Sequence, residues 1–243
     1  MKAILKKEIK SFFTSPVAYL VLGLFFLLNG LFLWVFKGPF NIFDYGFADL
    51  GNFFLLTPWV FLFLIPAITM RSFSEEKKTG TLELLLIKPI PLWKLVLGKF
   101  FGTLVLIAIA LLPTLLYVYT VLQLGTTHGN LDMGLVNGSY LGLLFLAALY
   151  TAIGTFTSAM THNQIVAFIL AMAICFFVYY GFEAIATLFS GGQAKLFIQR
   201  LGIKAHYEGM ALGILDTRGL VYLWSTTLFF LALTVNQLKT SKR

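Results

Sequence analysis

Apolar residues run along this chain in long unbroken stretches, with the polar residues gathered into the gaps between them. Six stretches approach or exceed the length of about 20 residues that a helix needs to cross the hydrocarbon core of a bilayer. They run from about Val17 to Phe36, Phe53 to Met70, Leu95 to Leu122, Tyr140 to Met160, Gln164 to Phe182 and Leu220 to Leu238. The runs do not alternate, which argues against barrel strands, whose lipid-facing residues recur with a period of two. Ahead of the first run, Leu5, Ile9, Phe12 and Phe13 fall on one helical face, with Lys6, Lys7 and Lys10 around the other. That is the pattern of a helix lying in the membrane interface. The predicted fold class is therefore all-α integral membrane, with six transmembrane helices preceded by an amphipathic interfacial helix. Residues 1–15 form the interfacial element and 16–243 the six-helix transmembrane domain.

Composition agrees. Of 243 residues, 59% are hydrophobic and only 12% charged, and the mean hydropathy is +0.88. A soluble surface needs far more charge, so lipid is the solvent this chain is built for. The net charge of +8 then reads as a topology signal and an attraction to anionic lipid, not as a nucleic-acid footprint. Lys2, Lys6, Lys7 and Lys10 precede the first span; Arg71, Lys77, Lys78, Lys88, Lys94 and Lys99 lie between the second and third; Lys239, Lys242 and Arg243 follow the sixth. The opposite side has Lys37, Lys195, Arg200, Lys204 and Arg218. The bias predicts that both termini and the 71–94 segment are cytoplasmic. The basic start runs into a stretch too long for a signal-peptide core, so no cleavable signal is expected. Cys175, the single cysteine, reads as a small buried hydrophobe.

Ionisable residues inside the spans are nearly absent, which argues against a proton-coupled carrier or a channel. Glu183 falls at the outer end of the fifth span, and Asn29 reads as a helix-packing hydrogen bond. Pro58 and Pro66 in the second span and Pro113 in the third predict kinks or hinges. The fourth span carries small residues at helical spacing, Gly138/Gly142, Ala148/Ala152 and Gly154/Ser158. This face either packs closely on another helix or lines a conduit. The outer segment 184–218 is rich in Leu, Ile and Phe and predicts short membrane-hugging helices with a break at Gly191-Gly192.

Catalytic signatures are missing. No G-x-x-x-x-G-K-[ST] nucleotide loop occurs, so ATP hydrolysis is not expected in this chain. H-E-x-x-H, C-x-x-C and G-x-S-x-G are also absent, and His128, His162 and His206 fall in three different loops, so neither a metal site nor an enzyme active site is expected. His206 and Glu208 read as a solvated loop pair. One polar segment stands out in this apolar chain: Arg71, Glu75, Glu76, Lys77, Lys78, Gly80, Thr81 and Glu83, read as a charged loop leading into a short apolar helix (Leu82, Leu84 to Ile87). Topology accounts for its lysines but not for Glu75, Glu76 and Glu83, since acidic residues contribute little to orientation. Mixed charge at this density suits a polar, reversible docking surface.

These residues carry a resemblance. Arg71, the Glu75-Glu76 pair, Gly80-Thr81, Glu83, Pro89 and Gly98-Lys99 resemble the pattern of ABC-2 type (type V exporter fold) permeases, over the whole chain. The stretches Asn29–Lys37, Phe40–Ile42, Gly46–Leu50, Trp59–Met70 and His206–Asp216 with Tyr222 further resemble the GldF family of gliding-motility permeases of Bacteroidetes. The resemblance implies a non-catalytic permease subunit in the bacterial inner membrane, with the 71–95 segment as a coupling helix docking on a separate ATPase. It implies a GldA-like ATPase subunit carrying ATP and Mg, a companion GldG-like membrane protein, and room for a permease dimer; no cofactor is implied on this chain. Such a complex either transports a substrate with ATP hydrolysed elsewhere, or acts as a mechanical transmitter on an outer-side partner.

Overall fold

The structure, a computed structural model, describes residues 2–45, 49–87, 90–125, 131–189, 191–214 and 216–241. Lys88, Pro89, His128, Leu215, Lys242, Arg243 and the 46–48 part of the family match lie outside the described residues. Helix α1 (Lys2–Thr14) is followed after one residue by α2 (Pro16–Gly30), which runs into a π-helical turn at Leu31–Val35. A short helix α3 (Ile42–Tyr45) precedes the second span, α4 (Gly51–Thr69), which passes through Met70 into α5 (Arg71–Lys78) and then α6 (Thr81–Ile87). The third span is split into α7 (Leu92–Leu111) and α8 (Leu115–Leu124), and the fourth is α9 (Met133–Met160). The fifth joins α10 (Gln164–Phe176), a π-helical turn at Phe177–Gly181 and α11 (Phe182–Ala186). Two short helices, α12 (Gly192–Leu201) and α13 (Ile203–Ala211), lead to the sixth span, α14 (Thr217–Ser241). Six helical stretches are long and apolar enough to cross a membrane, and no strand occurs among the described residues.

Helix α9 is the centre of the packing and touches α4, α7, α10, α13 and α14. Its small residues make that approach close. A Cβ added at Gly154 would lie 1.9 Å from Thr69 Oγ1, one at Gly142 would lie 2.9 Å from Met210 Cβ, and one at Gly138 would lie 3.2 Å from Gly213 Cα. Ala148 and Ala152 sit in a buried cluster with Phe100, Leu231 and Val235. Of the two roles open to this face, the structure uses it for packing: α4 and the outer segment fill it.

The second-span prolines do not end their helix. Pro58 has no N–H to offer the carbonyl of Phe54, and the hydroxyl of Tyr207 on α13 donates to that carbonyl at 2.6 Å. The outer segment is thus fastened to the second span at a proline defect. Pro113 does interrupt the third span, at 112–114, where Thr114 Oγ1 donates to the Leu111 carbonyl at 2.7 Å. The fourth span starts about two turns earlier than its hydropathy suggested because Asp132 caps it, accepting from the N–H groups of Gly134 and Leu135 at 2.8 and 3.2 Å. Asn29 is fully buried, donates to the Phe25 carbonyl at 2.8 Å and meets Thr57 Oγ1 of α4 at 3.5 Å.

Gly154→Leu should destabilise the chain by at least about 1–3 kcal/mol, because the added carbons have no space against Thr69. Gly23→Ala, with nothing within 4 Å of the added carbon, serves as the neutral control. Thermal unfolding of both variants in detergent micelles checks this; equal stability would refute the close α4–α9 contact.

Candidate functional site

The 71–78 stretch, expected to be a loop, is a helix. Ser, Glu and Lys tolerate helical geometry, and no Gly or Pro occurs before Gly80. Its first-turn N–H groups also find a partner. Ser158 Oγ on α9 accepts from the N–H of Phe73 at 2.9 Å and of Ser74 at 3.1 Å, and donates to the Met70 carbonyl at 2.9 Å. Helix α5 then stops at Gly80, whose φ of 70° is left-handed. The Gly80 N–H bonds to the Lys77 carbonyl at 3.2 Å and that of Thr79 to Glu75 at 3.0 Å, a glycine-terminated helix end. The chain turns there into α6.

Helical geometry divides the charged residues of α5 into two sets. Ser72, Phe73 and Ser74 are buried, and Glu76 and Lys77 are half-buried. Lys77 Nζ donates to the Ala159 carbonyl at the end of α9. Glu75, Lys78, Thr79, Gly80, Thr81 and Glu83 are exposed, as are Leu84 (63%) and Ile87 (79%) on α6. Arg71 is half-buried. The outward surface therefore combines two acids, one base and two apolar side chains. Glu76 and Lys77, grouped with them in the sequence, face the body of the protein.

Lys99 sits at the centre of the inward set. It is 2% exposed. Its ammonium donates to the Ser72 carbonyl and to Glu8 Oε1 at 3.0 Å, pairs with Glu76 Oε1 at 3.0 Å, and stands 5.1 Å from the ring centroid of Phe73. Lys7 reaches the same Glu76 oxygen at 3.5 Å. Helix α1 comes close enough to supply Glu8 because Gly102 leaves room: a Cβ there would lie 2.8 Å from Glu8 Cβ. Leu5, Ile9, Phe12 and Phe13 are half-buried on this helix, while Lys6, Lys7 and Lys10 are exposed. The sequence reading had not paired Glu8 with Lys99. Two signals were present: Glu8 is the lone acid among the lysines of α1, and Gly98 and Gly102 share the four-residue spacing of a close helix contact.

A second charged cluster lies at the other end of the bundle. Lys204 on α13 bonds to Glu183 and pairs with Glu208 at 3.5 Å. Burial works against its charge, but the hydrogen bond to Glu183 and the two carboxylates outweigh that and hold its pKa above 10.5. A lysine raised in the folded state contributes stability that is complete below pH about 10.5 and lost as pH rises through the higher folded value. His206, expected to form a solvated pair with Glu208, instead lies on α13, with Nε2 2.9 Å from the Arg200 carbonyl and its ring 4.5 Å from that of Tyr222. Among the described residues, no three His, Cys, Asp or Glu side chains gather as a metal site.

Six membrane-length helices, the fourth of them central, with a charged two-helix elbow between the second and third, define a multi-pass membrane protein of the permease class. The family model described as ABC-2 family transporter protein matches residues 2–238. The chain belongs to this family and is a membrane permease subunit of an ABC transporter, a kind of subunit that is generally non-catalytic and works with an ABC ATPase. No curated protein matches it in sequence.

Lys99→Met should cost about 3–5 kcal/mol, because it leaves the Glu8 and Glu76 carboxylates buried without their shared cation. Adding Glu8→Gln and Glu76→Gln should recover most of that loss. Denaturant unfolding of the two variants in micelles decides it: a single variant as stable as the parent would show that the buried cation holds nothing together.

Proposed function

We propose that α5 and α6 form the coupling element of this permease, docking on a separate ATPase subunit and relaying its nucleotide-driven motion into α4 and α7. The observation that carries this reading is the division of α5 into an inward half anchored on α1, α7 and α9 and an outward half, continued by α6, of mixed charge and exposed Leu84 and Ile87. A rigid mount with a free polar-apolar face suits a partner that presses on it and lets go. ATP and Mg belong on the partner. The basic bias of the termini and of residues 71–99 supports a cytoplasmic location for this end, with α1 lying in the inner-membrane interface. Resemblance to the GldF family supports a link to gliding motility, with GldA-like and GldG-like partners. A second reading, a mechanical transmitter acting on an outer-side partner, is favoured by helix α12 at the opposite end, which is mostly exposed and fully buries none of its residues.

Reversing the outward charges with Lys78→Glu and Glu83→Lys should lower recovery of a coexpressed ABC ATPase about tenfold, while the amount of chain in the membrane is unchanged. Undiminished recovery would refute the docking surface. A cysteine at Thr79, in a Cys175→Ala background, should react with an impermeant maleimide only from the cytoplasmic side; labelling of intact cells would overturn the orientation.

A further inference from the structure

The cleft between α1, α4, α5 and α7 is a cavity of about 420 Å³, within the range of about 300–1,000 Å³ that holds small ligands. Its lining changes character with depth. Arg71 and Glu75 on α5 and Thr79 just after it lie at one end, while Ala18, Ile68 and Leu106 lie on the apolar helices α2, α4 and α7. Leu106 is seven residues beyond Lys99 on α7, roughly 10 Å deeper along the helix. A cavity that is charged at one end and apolar where it enters the bilayer matches the junction of a lipid headgroup with its acyl chains.

The charges narrow the headgroup. The lining carries three basic residues, Lys7, Arg71 and Lys99, and three acidic ones, Glu8, Glu75 and Glu76. Lys99 and Lys7 are engaged with Glu8 and with Oε1 of Glu76. Among the described residues, that leaves Arg71, whose buried Nε has no hydrogen-bond partner, and Oε2 of Glu76, also buried and without one. A buried polar atom without a partner is rare in a folded protein, and here two of opposite kind line one cavity. An unpartnered guanidinium N–H and an unpartnered carboxylate oxygen in the lining of one cavity are the complement of a ligand carrying both a phosphate and a hydrogen-bond-donating ammonium. An anionic lipid would meet a lining with no net charge, and a quaternary ammonium has no N–H to give Glu76.

We infer that this cleft binds the headgroup of an aminophospholipid, a phosphoethanolamine on a diacyl anchor. Arg71 takes the phosphate, Glu76 Oε2 with Glu75 takes the ammonium, and the glycerol end faces Ala18, Ile68 and Leu106. The site lies between α1 and α5, so an occupant touches both the amphipathic helix and the base of the elbow. Its deeper lining, Arg71 and Glu76 with Ala18, Ile68 and Leu106, belongs to this chain alone, while Glu75 and Thr79 at its mouth are shared with the outward surface of the elbow.

The test is native mass spectrometry of the purified full-length chain, released from micelles doped with equal amounts of phosphatidylethanolamine, phosphatidylcholine and phosphatidylglycerol. The ethanolamine lipid should be retained at one copy per chain and about tenfold over the other two. Arg71→Gln and Glu75→Gln, neither of which removes an ion pair seen in the fold, should each abolish that preference while the chain elutes as a folded species in gel filtration. Water-soluble glycerophosphoethanolamine at the same concentration should not displace the lipid. Equal retention of the three lipids, or a preference that survives both variants, overturns the site. Displacement by the soluble headgroup overturns the lipid assignment and makes it a site for a free phosphoethanolamine compound.

Discussion

The ammonium of Lys99 holds the charged end of this protein together. It is almost wholly removed from solvent, at the mouth of an apolar helix, where an uncompensated charge is not tolerated. Its partners come from two separate helices: Glu8 on α1, and Ser72, Glu76 and the ring of Phe73 on α5. Each partner fixes the direction of a helix that would otherwise be free to swing in the interface. Helix α5 has a second anchor of a different kind in Ser158, a neutral hydroxyl that satisfies two of its first-turn N–H groups and returns its own proton to Met70. One anchor fastens α5 to α7 and α1, the other fastens it to α9.

That double anchoring decides what the elbow is able to do. A helix attached only through its chain ends would bend when pushed. With its inward side tied to α1, α7 and α9, a displacement at Glu75, Lys78 or Glu83 is passed to three helices at once. The stop at Gly80 matters for the same reason. A left-handed residue ends α5 after two turns, so α6 leaves at an angle and presents Leu84 and Ile87 beside the charges rather than continuing away from them. Stiffness below and accessibility above are produced by the same eight residues, separated only by the 100° that each residue advances around the helix.

The six spans were legible because their apolar runs are unbroken and their length is fixed by the bilayer. The charged segment was legible as an anomaly in an apolar chain, but not the inward turn of Glu76, whose carboxylate is explained by Lys99 and Lys7. What the sequence could not show were partners distant along the chain. Nothing local to residues 71–78 announces that Ser158, more than eighty residues on, will complete a helix there, and the stretch therefore read as a loop. Glu8 and Lys99 are ninety-one positions apart. Pro58 signals a missing hydrogen bond, but not that Tyr207 will supply a replacement from the outer segment. The small residues of α9 announced a close approach while leaving the approaching element undetermined; α4, α13 and α14 each occupy part of it. Apart from α5, the periodicity of each helix was readable and the identity of its neighbour was not.

The same packing bears on where work is done. The middle of the bundle is filled by Tyr150, Tyr179 and Tyr207, all buried, with successive ring centroids 6.4 Å apart, and Trp59 closes on Tyr179 at 5.6 Å. Tyr207 is held by the Phe54 carbonyl. The buried hydroxyls of Thr57, Thr69, Thr155 and Thr157 donate to carbonyls of their own helix, whereas those of Thr103, Tyr150 and Thr151 are buried without a hydrogen-bond partner among the described residues. Separating the helices at this layer would break the Tyr207 contact and pull apart closely packed rings. This aromatic layer packs the subunit closely across its middle. A bundle tied together at one end by Lys99 and at the other by Tyr207 resists separation of its helices, so a load on its charged end is met by the packed body as a whole.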